Sequence, residues 1–280
     1  MGIRSNYLIS TKIRKIISTT KLSTNVVAMV GGGTNPMPGE ISLAHNGVLF
    51  LDEFPEFPRS VLEVLRQPIE DRIITVARAK YTVNYPASFM LVASMNPCPC
   101  GYYGHPKKRC TCMPGQVNKY MNKISGPLMD RIDIQIEIQP VEFDDIANTA
   151  PAESSASIRE RVIKARQIQQ ERFKGEKKVY CNAQMNTRLL RKYAWPDSDG
   201  LASLKERMER WNMSARAFDR ILRVARTIAD LENSAMLPPI GHPNYPSALA
   251  SAVNSPVLSH HISEAIGYRN LDKGTYGSPF

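Results

Sequence analysis

The sequence predicts an α/β fold: a parallel sheet flanked by helices, followed by an all-α domain. Two observations carry this expectation. The apolar runs "GVLFLDE" at 47–53 and "SFMLVASMN" at 88–96 each end in polar residues. That is the pattern of buried parallel strands delivering groups to the carboxyl edge of an open sheet. After Pro140 the pattern changes to amphipathic segments with helical spacing, rich in Arg and Lys.

Composition narrows the class of protein. The 280 residues are 42% hydrophobic, enough for a substantial core. An excess of 36 Lys and Arg over 26 Asp and Glu gives a net charge of +10, which favours acidic partners, nucleic acid first among them. No apolar run reaches the roughly 18 residues of a membrane helix, and the start "MGIRSNYLISTKIRKII" has no continuous apolar region of the secretory kind. A cytoplasmic protein with no membrane partner is expected. Four of the five cysteines fall between 98 and 112, which reads as a local metal cluster rather than a disulfide framework.

In chain order, residues 1–24 are polar and β-branched without a clear period. Three glycines and two prolines in "VVAMVGGGTNPMPGE" announce a loop. "ISLAHNGVLFLDE" reads as a short helix or turn and then the first buried strand. "SVLEVLRQPIEDR" has helical spacing in Val61, Leu62, Leu65 and Ile69, with Pro68 near its end. "IITVARAKYTVNYP" reads as a hairpin, and a second buried strand follows. "RIDIQIEIQ" repeats the strand pattern. The sequence divides into an α/β core at 25–145 and a helical lid at 146–280. The lid helices are expected at "SASIRERVIKARQIQQERF", "MNTRLLRKYAW", "GLASLKERMERW" and "SARAFDRILRVARTIADLE", the last capped by Ser214. Residues 235–258 hold five prolines and no Asp, Glu, Lys or Arg, and are expected to form a long loop. A short closing helix follows in "SHHISEAIGYRNLD".

An apolar strand that runs into two adjacent acids needs a reason, because like charges repel and resist desolvation. Asp52 and Glu53 have the form of a Walker B element, in which Asp52 orients the Mg²⁺ of a nucleotide and Glu53 polarises the attacking water. The alternative is a solvated acidic turn. Asn96 ends the neighbouring strand, either as a group that meets a γ-phosphate or as a turn residue before proline. Arg131, in "SGPLMDRIDI", either reaches a neighbouring subunit's phosphate or forms a salt bridge with Asp130 or Asp133.

The order of "GEISLAHNGVLFLDE", "VASMNPCPCG", "SGPLMDRIDI" and "SARAFDRILRVARTIADLE" resembles that of the magnesium-chelatase-like AAA+ ATPases of the ComM (YifB) type. The resemblance covers 25–234 and 259–273. It implies a partial AAA+ core and lid. Asp52 and Glu53 are then the Walker B pair, Asn96 sensor 1, Arg131 the arginine finger and Arg216 the sensor 2 arginine. It also implies ATP with Mg²⁺, a homo-hexameric ring, and DNA as the partner in branch migration during natural transformation. Arg78 and Lys80 in the hairpin are the candidate DNA contacts, the alternative being an ordinary exposed basic hairpin. A chelatase subunit inserting Mg²⁺ into a tetrapyrrole is a further reading, which the Cys-rich "NPCPCG" fits less well.

Cys98, Cys100, Cys110 and Cys112 could close a structural Zn²⁺ site, although C-x-C is tighter than the usual C-x₂-C and strains a tetrahedral arrangement. His105 is a possible substitute ligand, and Cys181 stands apart. The chain departs from the family at one decisive point. No G-x-x-x-x-G-K-[ST] phosphate loop occurs in it, and "GGGTNPMPGE" matches the family's loop before Walker B. The expectation is therefore a C-terminal part of an ATPase, lacking its first strand and Walker A loop, with an uncovered sheet edge and no ATP turnover alone. The other reading is a non-catalytic DNA-binding or assembly fragment. The segment 235–258 is expected to be an insertion relative to the family.

Overall fold

A computed structural model describes residues 16–19, 25–33, 36–77, 82–138 and 153–269. The chain divides into two compact units, one running to Arg131 and the other starting at Ile132.

The first unit opens with β1 (Ile16–Thr19) and α1 (Val26–Val30), whose N-cap Asn25 accepts a hydrogen bond from the Ala28 amide at 2.8 Å. The sequence left 1–24 without an element, because "IIST" is too short to display a period. Its strand identity comes from pairing: Ile16–Thr19 run parallel to Val48–Leu51. A minimal antiparallel ladder, β2 (Gly31–Gly32) with β3 (Met37–Pro38), uses the expected glycine loop. A Cβ on Gly31 would lie 2.2 Å from the Met37 carbonyl, and Gly31 sits at φ +101°, so glycine is required for this close crossing. Helix α2 (Glu40–Leu43) then leads into β4 (Val48–Leu51), as expected.

Strand β4 is the centre of a three-stranded parallel sheet of order β1–β4–β7, with β7 at Met90–Ala93. Leu49 and Leu51 are fully buried, as an apolar run in a covered parallel strand should be. Among the described residues β7 is an edge strand, and its Met90 and Val92 are 57% and 38% exposed. Two residues in β7 thus offer apolar surface beside unpaired backbone.

Between β4 and β7 the expected single helix is split into α3 (Arg59–Glu63) and α4 (Arg66–Asp71). Pro68 explains the break, since it has no N–H to donate to the carbonyl four residues earlier and is tolerated in the first turn of a new helix. The hairpin forms as expected, with β5 (Ile73–Ala77) antiparallel to β6 (Thr82–Pro86). Arg78 and Lys80 lie outside the described residues. Two short helices close the unit, α5 (Pro114–Met121) and α6 (Gly126–Met129). The strand expected at "RIDIQIEIQ" does not form in its described part. Among the described residues, the β-pairing of 132–138 is limited to an isolated bridge between Gln135 and Arg269. The alternating pattern is there, but Ile134, Ile136 and Ile138 are exposed and no strand among the described residues lies alongside.

The second unit is helical. Helix α7 (Ser155–Arg172) is capped by Ser154, α8 (Thr187–Tyr193) by Asn186, α9 (Ser198–Trp211) by Asp197 and α10 (Ala215–Met236) by Ser214. In each case the cap side chain accepts an amide N–H from the first turn. Leu189, Ile221, Leu222, Ala225 and Ile262 are buried in one core, with Ile262 supplied by the closing helix α12 (Ser259–Gly267).

The proline-rich segment corrects the expectation of a long loop. It contains helix α11 (Tyr245–Val253), started by Pro246 in its first turn, and it buries Leu237, Tyr245, Ala252 and Val257. It is also bolted down by charge. The Asp230 carboxylate, fully buried, accepts from both terminal nitrogens of Arg172 at 2.7 and 2.6 Å and from Asn182 Nδ2 at 2.7 Å. Arg226 Nε donates to Asp230 at 3.1 Å. Both arginines also reach the proline-rich segment, through Arg172 Nε to the Val253 carbonyl at 3.0 Å and Arg226 to both oxygens of Ser255. Proline content signalled a break in helical pattern, but it carried no sign of these buried partners.

Candidate functional site

Strands β4 and β7 are parallel, with Leu51 paired to Ala93, so Asp52 and Ser94 emerge side by side at the carboxyl edge. The Ser94 hydroxyl donates to Asp52 Oδ1, which also accepts the Glu53 amide at 3.0 Å. Backbone bonds complete the junction: Ser94 N donates to the Leu51 carbonyl at 3.0 Å and Phe54 N to the Ser94 carbonyl at 2.9 Å. Asp52 is half-buried and fixed, while Glu53 is exposed.

Glu53 achieves that exposure in the left-handed region, at φ 52° and ψ 45°. A side chain there costs about 1 kcal/mol or more relative to glycine, and such positions collect at functional sites. The following 3₁₀ turn, Phe54–Glu56, is anchored by buried Phe54 and Pro55. The turn therefore presents one carboxylate pinned by its neighbours and one held out into solvent. A pinned carboxylate with a second oxygen uncommitted in the described contacts fits the hard-oxygen ligand set of Mg²⁺.

Asn96 lies three residues past the end of β7 and is exposed. It is Ser94, which the sequence reading passed over, that meets Asp52. Residue counting in a parallel pair would have found it, since one register assignment sets every neighbour. Arg131 is buried and does not pair with Asp130 or Asp133. Its partner is Glu70, at 2.6 Å from NH2 and 2.9 Å from Nε, with the Pro127 carbonyl at 2.7 Å from NH1. It borders a polar cleft of about 450 Å³ lined also by Glu63, Arg66 and Asp71, which does not include Asp52 or Glu53. In the second unit, Asp133 pairs with Arg220 at 2.9 Å, and Arg216 is exposed on the first turn of α10.

The four cysteines converge. Sulfur separations are 3.4 Å for Cys98–Cys100, 3.7 Å for Cys98–Cys110 and 3.5 Å for Cys100–Cys110, and all four sulfurs lie within 4.8 Å of one another. A tetrahedron with Zn–S bonds of about 2.3 Å has edges of about 3.8 Å, so the separations suit a Zn²⁺ ion. The strain expected of C-x-C is taken up by the turn behind it. Gly101 N donates to the Cys98 carbonyl at 3.0 Å, and Gly101 itself sits at φ +81°. The Cys100 thiol is drawn down to about 5 because the Tyr102 and Thr111 amides point at its sulfur. At Cys110 the Cys112 amide pulls the same way, but burial and the neighbouring thiols outweigh it and push that thiol up to about 12. Four convergent sulfurs, one of them a ready thiolate, are a donor set that a soft divalent cation satisfies. His105 does not join it. Its Nδ1 accepts the Lys107 and Lys108 amides at 3.0 and 3.2 Å, which shapes the loop.

Helix α5 connects this loop to the acid turn. The helix starts just after Cys112, where the Met113 amide donates to Gln116 Oε1 at 3.0 Å. Near its other end Lys123 pairs with Glu56 at 3.2 Å and lies 5.3 Å from the ring centre of Tyr120. Tyr120 is buried. Burial, then the nearby Glu56 and Glu53 carboxylates, push the phenol above its ordinary value.

Glu232, His260 and His261 form a second convergent group of ligand-type side chains, in the helical unit. Hydrogen-bond direction argues against a metal there. The Leu258 amide donates to His261 Nδ1 at 2.9 Å, so the neutral ring carries its proton on Nε2 and gives it to Glu232 at 2.5 Å. The nitrogen that faces the group is then a donor with no free lone pair.

Comparison with known proteins agrees with both units. Residues 10–146 match the family described as magnesium chelatase, subunit ChlI, and residues 152–240 match the family of its C-terminal region. Competence protein ComM of Haemophilus influenzae is 41% identical over 250 residues, covering 89% of this chain and 44% of that protein. Uncharacterized protein YifB of Escherichia coli K12 is 40% identical over 252 residues, covering 90% of this chain and 44% of that protein. A Mycobacterium tuberculosis H37Rv protein, Rv2897c, is 39% identical over 210 residues, which is 75% of this chain and 41% of the relative. The chain thus spans less than half the length of the curated relatives it matches. With both family regions matched in order and identity sustained across most of its residues, the chain belongs to the magnesium-chelatase-like proteins of the ComM and YifB type.

Proposed function

We propose that this chain supplies the acid-bearing half of an ATP-hydrolysing ring protein that remodels DNA during recombination or natural transformation. The observation that carries the proposal is the Asp52–Glu53 turn at the carboxyl edge of the central parallel strand, with Asp52 pinned by Ser94 and Glu53 held exposed at a positive φ. Asp52 would hold Mg²⁺, which when bound neutralises charge on the nucleotide phosphates. Glu53 accepts a proton from the attacking water, and its position next to the pinned Asp52 keeps it within reach of the same phosphate. Asn96 orients that water or the terminal phosphate from the neighbouring strand end. Arg131 acts as the arginine finger once phosphate replaces Glu70 as its partner, an exchange of one anion for another. Arg216 serves as the sensor cation of the lid, which comprises 146–280, against a core at 25–145.

The printed name of the Haemophilus influenzae relative points to competence, and the net charge of +10 suits a DNA partner. Arg78 and Lys80 are assigned to the DNA phosphates. A hexameric ring and a cytoplasmic location complete the proposal. A structural Zn²⁺ is assigned to Cys98, Cys100, Cys110 and Cys112 on the strength of their sulfur separations.

The phosphate-holding loop is not among these 280 residues. The exposed β7 edge, with Met90 and Val92 uncovered, has room for a further strand. The test joins this chain to the phosphate-loop region of the Haemophilus influenzae relative and measures ATP hydrolysis with and without branched DNA. Hydrolysis stimulated by DNA and abolished in Glu53→Gln supports the proposal. Hydrolysis equally fast in Glu53→Gln refutes it.

A further inference from the structure

The net charge of +10 is unevenly placed along the chain. Between Asp71 and Asp130 the sequence holds no Asp or Glu, yet it holds eight Lys or Arg. Most of the excess positive charge therefore lies in this one stretch. Arg78 and Lys80 account for two of the eight. Three more are consecutive, at Lys107, Lys108 and Arg109 in the cysteine loop, and the proposed chemistry does not use them.

The cysteine cluster decides where those three stand. Cys100 and Cys110 bring their sulfurs to 3.5 Å, so residues 101–109 form a loop closed at its base. Inside the loop, Gly104 turns the chain at φ +75°, and His105 Nδ1 accepts the Lys107 amide at 3.0 Å and the Lys108 amide at 3.2 Å. The His105 ring meets Tyr102 edge-on, with centroids 5.8 Å apart, and Lys108 Nζ lies 5.0 Å from the centre of the same Tyr102 ring. All three cations are exposed, and Tyr102 is 38% exposed. Adjacent like charges repel one another, so their presence on a folded, tethered loop asks for an anion from outside.

We propose that residues 101–109 form a nucleic-acid contact of their own, in which Lys107, Lys108 and Arg109 neutralise DNA phosphates and the cysteine cluster holds them together at the end of the loop. The exposed Tyr102 ring beside them favours nucleic acid over an acidic protein, because a phenol face can stack on an unpaired base while an acidic surface matches the charge alone. The contact rests on DNA as the partner under the proposed function, and it needs neither nucleotide nor a phosphate loop.

Fluorescence anisotropy of a labelled forked DNA, titrated with the 280-residue chain between about 50 and 200 mM salt, provides the test. Replacing Lys107, Lys108 and Arg109 together by Gln is expected to weaken binding about tenfold at the low-salt end and to lower the slope of log affinity against log salt by about one per cation. Each of Lys107→Gln, Lys108→Gln and Arg109→Gln alone should take about one from that slope, so the answer survives a triple variant that fails to fold. Lys174, Lys177 and Lys178 are exposed cations of the helical unit, and replacing those three by Gln removes the same charge elsewhere. Affinity is expected to stay within about twofold of the wild type in that control. An equal loss in the control would reduce the loop to bulk charge and overturn the proposal. Wild-type affinity and slope in the loop variants would overturn it too, and would turn attention to an acidic protein partner. A wild-type chain that leaves the forked DNA unbound would sink the DNA reading along with the loop, a result distinct from loop variants that bind as the wild type does.

Discussion

Asp52 and Ser94 stand one residue beyond paired positions on adjacent parallel strands, and the serine hydroxyl donates to the aspartate. That bond turns a sheet register into a chemical site: the strand that ends in the acids and the strand that ends near Asn96 are joined at their tips.

Ser94→Ala removes the bond and leaves Oδ1 with only the Glu53 amide. The stability of the first unit should fall by about 1 kcal/mol, the usual net worth of one hydrogen bond, more when the acceptor is charged. Hydrogen-exchange protection of Phe54, whose amide reaches the Ser94 carbonyl, reads the loss locally. No change in protection would mean that the serine does not pin the turn.

Glu53 sits where glycine is favoured. Glu→Gly at an ordinary element position costs about 0.5–1 kcal/mol, but here relief of the left-handed backbone should offset that loss. Glu53→Gly is expected to unfold at a midpoint no lower than the wild type. A clear drop would show that the carboxylate makes stabilising contacts and is not held out for chemistry.

Asp230 lies between two buried arginines, Arg172 and Arg226. Burial already pulls Arg226 down to about 10. Asp230→Ala leaves both cations without their shared anion and should destabilise the helical unit by about 3–5 kcal/mol. Both tryptophans, Trp195 and Trp211, are in that unit, so a urea titration followed by tryptophan fluorescence isolates its transition.

The same signal checks a pH dependence. Burial, against the opposing pull of Glu232 and with the push of His260 and Arg226, holds His261 below its ordinary 6.5. A depressed folded value means that the unfolded state takes up the proton first. Stability from this group is fully present above about pH 6.5 and is lost as pH falls below it. Glu232, lowered by its bonds to His260 and His261, adds a loss of the same sign at lower pH, below its ordinary 4.5. The urea midpoint should therefore drop between pH 7.5 and 5.5, and the drop should shrink in His261→Gln.

Much of this was legible in the residues. Two apolar runs ending in polar groups predicted the parallel pair β4 and β7, and amphipathic spacing, with the Ser214 cap of the last helix, predicted the helices of the second unit. What escaped reading depended on partners distant in sequence. The strand at 16–19 is defined by β4, not by its own four residues. The described part of "RIDIQIEIQ" makes no strand despite its alternation, for the same reason: its backbone joins no ladder among the described residues beyond one bridge. The proline-rich segment packs because Arg172 and Arg226 reach its carbonyls. At the site, the acids and the cysteines were visible as motifs, whereas Ser94 carries no motif and emerges only from the register of β4 and β7.

The most direct measurement is ATP turnover by the 280-residue chain alone, compared with its Glu53→Gln variant. This chain carries the acids proposed to hold metal and activate water but no phosphate loop, so both proteins should give the same background rate. Turnover at an ordinary enzymatic rate, lost in Glu53→Gln, would contradict it.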